Sequence, residues 1–337
     1  YLFDFENSQT MSIAEALRLT KNDPSVTNNT QRRLVFFIGD PALKLPLASP
    51  DIIATKLNGE DIASTNITLQ ALSPAKIEGF VASEQGNILS DYSGTLTATV
   101  FDKSIQRSTL ANDGSTFNGQ LITLDYEASG EVLFRGKASV ENGKFEINFI
   151  VPRDIVIPVG NGKISFYSKT ETPLSDHRGY NFDIQIGGVN LNATEDNQGP
   201  NIDLYINDES FVSGGITNEN PTLIAKLYDE NGVNTASGVG HDIVAILDGD
   251  ETNPFILNDY YIADVDSYQS GSLSYPLRNL EPGLHTLSLK AWDVYNNAST
   301  KEIQFVVFDQ NESLEITNIL NYPNPFINYT EFWFNHN

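Results

Sequence analysis

The sequence predicts a mainly β protein, with tandem antiparallel β-sandwiches of the immunoglobulin-like type preceded by the last helix and strand of an α/β domain. From about Asp51 onward, apolar and polar residues alternate along short runs. Such alternation places one face of a strand in a core and the other in solvent. Turn sequences separate these runs at short intervals, as they do in sandwiches. Before Asp51, a helical pattern is followed by an unbroken apolar run, which is typical of an α/β sheet.

Residues 1–47 differ in pattern from the rest of the chain. Ser12 followed by Glu15 has the spacing of a capping box and predicts a helix over Ile13–Asn22. The run Leu34–Ile38 is apolar without alternation, so it predicts a strand covered on both faces. Nothing later in the sequence has the pattern to cover such a strand. We therefore expect residues 1–47 to be the C-terminal end of an α/β domain.

The second segment, residues 48–193, predicts a β-sandwich. Its alternating positions are Leu96, Ala98 and Val100; Phe145, Ile147, Phe149 and Val151; Ile164 and Phe166; and Phe182, Ile184 and Ile186. Its predicted turns are Asn112-Asp113-Gly114, Glu141-Asn142-Gly143-Lys144 and Gly160-Asn161-Gly162. The third glycine of a phosphate-binding loop is missing around Gly160, and no helix follows, so we interpret that stretch as a hairpin turn.

A polar linker near Thr194–Pro200 leads into residues 194–310, which predict an immunoglobulin-like sandwich. The predicted strands are Ile202–Ile206, Leu223–Tyr228, His241–Leu247, Leu284–Trp292 and Ile303–Phe308, with turns at Glu281-Pro282-Gly283 and Tyr295-Asn296-Asn297. The last segment, residues 311–337, predicts the start of a further small domain, which we expect to be truncated after its first strand. There, a Pro-Asn-Pro turn precedes an alternating aromatic run from Tyr329 to Phe334. We expect residues 60–309 to fold on their own as β protein.

Composition excludes several functions. The chain of 337 residues has a formal net charge of −24, which disfavours nucleic acid and anionic lipid as partners. It has no cysteine, so it offers neither a thiolate metal site nor a cysteine nucleophile. No apolar stretch is long enough to cross a bilayer as a helix. The chain opens on Tyr1 without a signal peptide, and we expect it to be a piece of a longer protein.

No catalytic residue is identified in this segment. None of the four histidines has the spacing of a zinc-binding helix. The neighbours His241 and Asp242, with Ser237 nearby, do not predict a catalytic triad, because adjacent residues on a strand point to opposite faces. The tryptophans Trp292 and Trp333 fall on predicted strands, where packing is the ordinary role.

We predict no metal site, with calcium binding as the alternative. Residues 248–253 are rich in aspartate, but a helix-loop-helix calcium loop needs glycine at its sixth place and glutamate at its twelfth, where this sequence has Asn253 and Asp259. An irregular site could still form between sandwich loops from Asp248, Asp250 and Asp293. The competing interpretation is a plain turn rich in Asp and Asn. We predict no other cofactor.

Several stretches resemble known families. Asn321–Phe326 resembles the start of the C-terminal sorting domain of the type IX secretion system of Bacteroidetes, and Arg33–Leu45, with its Gly-Asp-Pro, resembles the end of the caspase- and gingipain-like cysteine peptidase domain. Four further blocks are similar to the PorU family of type IX signal peptidases, or sortases: Gly199–Leu204, Phe211–Thr217, Gly240–Ala245 and Ala291–Asn297. The similarity covers the chain in order from end to end.

The resemblance implies a parent protein at the cell surface, associated with the outer membrane. Such a protein removes C-terminal sorting domains from secreted cargo and attaches the cargo to a lipopolysaccharide anchor. The implied partners are a PorV-like outer-membrane β-barrel, PorQ, PorZ and the cargo proteins. The family's cysteine and histidine would lie before Gly39-Asp40-Pro41, so no catalytic residue is carried over. The sorting or docking motif is carried over as Tyr322, Pro323, Asn324, Pro325 and Phe326.

Two other interpretations remain open. A surface adhesin or structural cargo protein would combine β-sandwich modules with a sorting signal and have no chemistry. It would not need the α/β remnant of residues 1–47. A gingipain-like degradative protease is the third candidate, and it differs from a sortase in cleaving unrelated proteins broadly.

Overall fold

The structure is a computed structural model that describes residues 11–27, 29–45, 49–64, 67–83, 85–236, 240–308 and 316–336. The chain divides into two compact units, Tyr1–Pro50 and Asp51–Asn337. Among the described residues, no helix is long and apolar enough to cross a membrane. The fold is mainly β, as the sequence predicts.

The first unit contains the helices Ile13–Asn22 and Asn29–Leu34 and the two-residue strand Ser49–Pro50. The first helix has the predicted bounds. Ser12 Oγ accepts a hydrogen bond from the Glu15 amide at 3.3 Å, which satisfies one free donor of the helix start. The Glu15 carboxylate binds Arg18 at 2.7 Å, so only half of the capping box forms in this way.

The predicted strand Leu34–Ile38 is wrong for this structure. Leu34 ends the second helix, and the residues after it are irregular. Leu34, Phe36 and Ile38 are all more than half exposed. A strand forms only where a neighbouring strand accepts its backbone hydrogen bonds, and none of the described residues pairs with this segment. Its apolar side chains therefore lie on the surface of the unit.

The first sandwich of the second unit begins at Asp51. Its large sheet has the strand order Leu174–Asn181, Lys163–Glu171, Gly94–Phe101, Val132–Glu141, Lys144–Ile150, Pro74–Val81, Ile52–Leu57 and Glu60–Asp61. A smaller sheet has the order Gly160–Asn161, Gln185–Val189 and Thr68–Ala71. An exposed arm carries two hairpins, Ile105–Ser108 with Asp125–Ala128 and Thr116–Phe117 with Gln120–Leu121.

Alternation along these strands builds the first core, as predicted. Leu96, Ala98 and Val100 are fully buried, and the Phe134 and Phe149 rings stack at 4.3 Å. Asn142 and Gly143 have φ of 50° and 74°, which gives the primed hairpin turn that matches strand twist. The predicted face is wrong at one position, because Phe182 lies outside a strand and is 52% exposed.

The predicted turn at Gly160-Asn161-Gly162 is also wrong. Gly160 and Asn161 form a short strand that pairs with Ile186 and Gln185. Gly162 follows that strand, and a Cβ there would lie 2.3 Å from the Ile186 side chain. The glycine is thus required by close packing at this position rather than by a turn.

The second sandwich has two sheets. One has the order Asn201–Ile206, Thr222–Tyr228, Ser270–Pro276 and Tyr261–Ala263. The other has the order Gly215–Thr217, Ala298–Val307, Gly283–Trp292, Val244–Leu247 and Phe255–Ile256, and a short 3₁₀ helix covers Asn258–Tyr260. The predicted strands all appear, although the one expected from His241 begins at Val244. The core contains Phe305, Leu287 and Leu289, all fully buried.

Backbone and side-chain contacts join the two sandwiches. Lys137 forms an isolated parallel bridge with Val265. The Asp266 amide donates to the Lys137 carbonyl at 2.9 Å, and the Ser139 amide donates to the Asp266 carboxylate at 2.8 Å. Because backbone groups take part, the pairing fixes the orientation of one sandwich against the other.

The fold gives a prediction about fragments. We expect residues 51–308 to fold alone, because Ile52 and Leu57 belong to the first core and are 3% and 2% exposed. A fragment that begins at residue 60 should be destabilised by the loss of this strand. Residues 1–47 should stay unfolded, since Ala16 is the one buried apolar side chain in the described part of that unit. Far-ultraviolet circular dichroism and urea unfolding of the three fragments check this, and a cooperative transition in residues 1–47 would contradict it.

Candidate functional site

The sorting motif lies in the loop of a terminal β-hairpin. Strands Ile316–Tyr322 and Glu331–His336 pair antiparallel, and the motif connects them. Thr330 Oγ1 donates to the Pro323 carbonyl at 3.0 Å and holds the loop closed. The first of these strands is absent from the sequence prediction, which expected only the strand after the turn.

Both faces of this hairpin are apolar and exposed. The consecutive residues Phe332, Trp333 and Phe334 are 66%, 62% and 50% exposed, and consecutive side chains on a strand point to opposite faces. The facing strand repeats the pattern, with Ile319 64% and Leu320 58% exposed. An isolated two-stranded hairpin is marginally stable in water. In this structure the hairpin therefore presents two apolar faces and two open strand edges.

The motif residues share this exposure. Tyr322 and Phe326 are 70% and 56% exposed, and Asn324 donates to the Asn321 side chain at 3.1 Å. From 316 to 336 the sequence has a single carboxylate, Glu331, although the whole chain carries a net charge of −24. The hairpin is thus an apolar surface with one carboxylate on an acidic protein, a composition typical of a protein-binding site.

The calcium candidates Asp248 and Asp250 have protein partners. Asp248 accepts from His285 Nδ1 at 2.7 Å and from the Thr286 amide at 2.9 Å. Asp250 accepts from Asn253 Nδ2 at 2.8 Å inside its own turn, and these hydrogen bonds hold the pKa of Asp250 below its usual value. Asp248 thus binds residues of strand Gly283–Trp292 and Asp250 binds within its own turn, and calcium binding by them stays a prediction.

Asp293 lies instead with two carboxylates that the sequence analysis did not single out. In the described residues, Asp196, Asp229 and Asp293 bring ligand oxygens within 4.8 Å of one another. Asp196 comes from the linker, and the other two follow strands of opposite sheets. Carboxylate oxygens are what calcium prefers, so these three, which we call the aspartate cluster, could hold a cation together. Because these three aspartates are far apart along the sequence, a motif search cannot group them.

Protein donors already surround the aspartate cluster. Asp229 Oδ1 accepts from the amides of Asn231 and Gly232 at 2.8 and 3.0 Å. Asp293 accepts from the Asn297 amide at 2.6 Å and from Asn297 Nδ2 at 2.8 Å. The linker is joined to both loops, because Asn231 Nδ2 donates to the Asp196 carboxylate at 2.7 Å and Asn297 Nδ2 donates to the Asp196 carbonyl at 3.1 Å.

Burial and mutual repulsion perturb these carboxyls. Burial raises the pKa of Asp229 to about 6, and the nearby Asp293 and Asp196 add to the effect against the two backbone donors. Burial likewise raises the pKa of Asp293, partly offset by the hydrogen bonds from Asn297. A negative charge is thus less stable at Asp229 in the folded chain than in the unfolded chain.

This shift gives a pH-dependent prediction for Asp229→Asn. The amide oxygen can keep the two backbone hydrogen bonds while the charge is removed. Because the folded pKa lies above the unfolded value of 3.8, the native protein loses stability as pH rises from about 4 to about 6. The variant should escape this loss. We expect it to be more stable than the parent sequence by about 1 kcal/mol near neutral pH, a figure discounted for solvent screening.

Urea unfolding of residues 51–308 at about pH 5 and at about pH 7.5, with chelator present, measures the difference. The gap between variant and parent sequence should widen with pH. Asp203→Asn, at an exposed position on strand Asn201–Ile206, is the control and should show no such change. A gap that is constant across pH would contradict the charge argument.

Three histidines each pair with an aspartate far away in sequence. Nδ1 lies 2.7 Å from a carboxylate oxygen in each pair: His177 with Asp51, His241 with Asp154, and His285 with Asp248. Burial lowers the pKa of His285, but its hydrogen bonds to the Glu281 carbonyl and Asp248 outweigh burial and raise it above the usual value. Ser237 and the side chain of His336 lie outside the described residues.

Asp154 also joins the two sandwiches. Besides His241, it accepts from Asn296 Nδ2 at 2.7 Å and from Asn234 Nδ2 at 3.3 Å. The His241 ring packs edge-on against Trp292 at 4.5 Å. His241 is thus part of the contact between modules rather than the start of a strand, which begins at Val244.

Comparisons with known proteins complete the description. No family model matches the chain, and no curated protein matches it. Among solved structures, the chain is similar to dimeric latent PorU from Porphyromonas gingivalis, with 28% identity, a TM-score of 0.47, and coverage of 100% of this chain and 31% of that one. The chain therefore spans about a third of the length of that protein.

More distant likenesses concern β modules. Fibronectin(III)-like modules of Clostridium thermocellum CbhA match at 10% identity with a TM-score of 0.21, covering 76% of this chain and 94% of that one. A Salmonella alpha-2-macroglobulin matches at 10% identity with a TM-score of 0.22, covering 83% of this chain and 18% of that one.

Proposed function

We propose that the chain is the non-catalytic C-terminal region of a type IX secretion system peptidase of the PorU kind. Its parent would remove C-terminal sorting domains from cargo and attach the cargo to the cell surface. The observation that carries the proposal is the terminal hairpin, which displays the sorting motif Tyr322–Phe326 between two strands with apolar faces. A sorting tail used only for export would also be compatible with an adhesin. Residues outside the hairpin therefore decide between a peptidase region and an adhesin.

Two features favour a peptidase region over an adhesin. Residues 33–45 resemble the end of a gingipain-like domain, and their apolar side chains Leu34, Phe36 and Ile38 are exposed. Exposed apolar patches mark surfaces that pack against another domain or protein. We propose that this surface packs on the parent's peptidase domain, where the cysteine and histidine would lie.

The sandwiches would act as a rigid support. The backbone pairing of Lys137 with Val265 and the contacts of Asp154 fix one module against the next. The terminal hairpin would then reach a PorV-like outer-membrane β-barrel, with PorQ and PorZ as further partners, on the extracellular face of the outer membrane. That contact would form by strand addition at the hairpin edges and by burial of the aromatic faces of the hairpin.

Cleavage specificity of the full-length parent tests the proposal. We expect purified parent protein to cut cargo at the junction before the sorting domain and to leave unrelated proteins intact. Replacing the upstream cysteine with alanine should abolish the cut. Broad cleavage of unrelated proteins would favour a degradative protease, and the absence of any peptidase activity together with an upstream sequence that lacks the Cys/His pair would favour an adhesin.

A further inference from the structure

A chain of hydrogen bonds in the first sandwich joins a serine, a histidine and an aspartate. Ser175 Oγ lies 3.2 Å from His177 Nε2, and His177 Nδ1 lies 2.7 Å from Asp51 Oδ1. Ser175 and His177 are two residues apart on strand Leu174–Asn181, so they share one face. Asp51 directly precedes strand Ile52–Leu57 and reaches them through the fold. This is the connectivity of a nucleophile, its base and the group that orients the base.

The chemistry of the three groups sets the direction of the hydrogen bonds. An ionised carboxylate can only accept, so Asp51 requires the proton of the imidazole to be on Nδ1. Nε2 then carries the lone pair and accepts from the Ser175 hydroxyl. This tautomer is the one that allows His177 to remove a proton from Ser175.

Surrounding contacts hold the base in place. The Tyr92 ring meets the His177 ring edge-on at 4.7 Å, and the Tyr92 hydroxyl pairs with Ser168 Oγ at 2.9 Å. The side chains of His177 and Asp51 are only 9% and 16% exposed. A base that is locked by packing and by a second hydrogen bond is preorganised for proton transfer.

Burial decreases from the orienting acid and base toward the serine. His177 is buried, whereas Ser175 is half-buried and sits at the start of its strand, beside the exposed Leu174. A histidine with a purely structural role would have one ring nitrogen hydrogen-bonded to Asp51 and the other to a second buried group. Here its second nitrogen points instead to the hydroxyl of the half-buried Ser175.

We propose that Ser175 is a base-activated nucleophile that accepts an acyl group from small activated esters. Ser175 Oγ forms a bond to the ester carbonyl carbon while its proton moves to His177 Nε2. The tetrahedral intermediate collapses by breaking the bond to the alcohol oxygen, and that oxygen takes the proton from His177. Water then repeats the sequence on the acyl-serine, which releases the carboxylic acid and restores Ser175. Asp51 is a positioning residue that holds the tautomer.

The proposal is independent of the type IX assignment, and its test uses the 337-residue chain. The chain is incubated with p-nitrophenyl acetate, and released p-nitrophenolate is measured together with peptide mapping of the acetylated residue. We expect a burst close to one equivalent and acetylation of Ser175. Ser175→Ala should abolish the burst, and Asp51→Asn should slow it by about 100-fold or more by favouring the wrong tautomer. Asp51→Glu should recover part of the rate.

Ser165→Ala is the matched control, since Ser165 is a half-buried serine on the adjacent strand Lys163–Glu171. It should leave the burst unchanged, and circular dichroism checks that every variant is folded. If Ser175 is not acetylated, or is acetylated at the same rate in folded His177→Gln, the idea is wrong. The network would then serve only to satisfy the buried imidazole.

Discussion

Replacing Asp293 with alanine should lower the free energy of unfolding of residues 51–308 by about 3 kcal/mol. Asp293 is fully buried and accepts from the amides of Tyr295 and Asn297 and from the Asn297 side chain. Alanine leaves these donors without an acceptor in a buried place, and each unsatisfied group costs about 1–3 kcal/mol. Relief of repulsion on Asp229 offsets part of that cost. The loss should appear as a lower urea midpoint with an unchanged slope.

Asp293→Asn separates the loss of hydrogen bonds from the loss of charge. The asparagine oxygen can still accept from the two amides, so this variant should cost about 1 kcal/mol or less. Asp203→Ala serves as the exposed control and should be neutral. Equal destabilisation by alanine and asparagine would mean that charge, such as that needed to hold a cation, outweighs the amide contacts.

On the proposed function, the double substitution Phe332→Ser and Trp333→Ser should weaken capture of a PorV-like β-barrel by the full-length parent by at least about 100-fold. The two rings lie on opposite faces of the terminal hairpin and are 66% and 62% exposed. Burying a large apolar side chain contributes about 1.5–3 kcal/mol, so the loss of both removes about 3 kcal/mol or more of binding free energy. Co-purification and surface titration of the purified proteins measure the change.

Val212→Ser with Leu284→Ser is the matched control for this experiment. These side chains are 75% and 65% exposed and belong to the second sandwich. Their replacement removes similar apolar surface outside the hairpin and should leave capture within about 3-fold of the parent sequence. If both double variants lose capture equally, the hairpin is not the specific contact.

Local patterns predicted most of the fold. Helix Ile13–Asn22 has the predicted bounds because its start and stop signals lie within the helix and its flanks. The alternating runs around Leu96 and Phe145 became core strands because period two specifies which face is buried. These features depend on a few neighbouring residues, which is why sequence alone suffices.

Predictions failed where the outcome depends on a distant partner. Leu34–Ile38 has the composition of a central strand, but a strand also needs a neighbour to accept its hydrogen bonds. Gly160 and Asn161 have turn composition, yet Gln185–Val189 recruits them into a sheet. In the first case no partner is present among the described residues, and in the second tertiary pairing overrides local preference.

The same contrast between local patterns and distant partners applies to the candidate site residues. The motif Tyr322–Phe326 is contiguous and was found from sequence, although the strand before it was not. The aspartate cluster and the contact of Asp51 with His177 join residues far apart in the chain. No spacing rule connects such residues, and only the folded arrangement shows that Asp293 belongs with Asp196 rather than with Asp248.

The central claim is that the terminal hairpin is a retained docking element of a type IX peptidase rather than a signal that is clipped off. Peptide mapping and intact mass of the complete protein, recovered from the surface of the cells that make it, test this most directly. We predict that the recovered protein still contains the sequence after Asn321, including Tyr322–Phe326 and both strands of the hairpin. A mature protein that ends before Asn321 would contradict the claim and return the tail to the role of an export label.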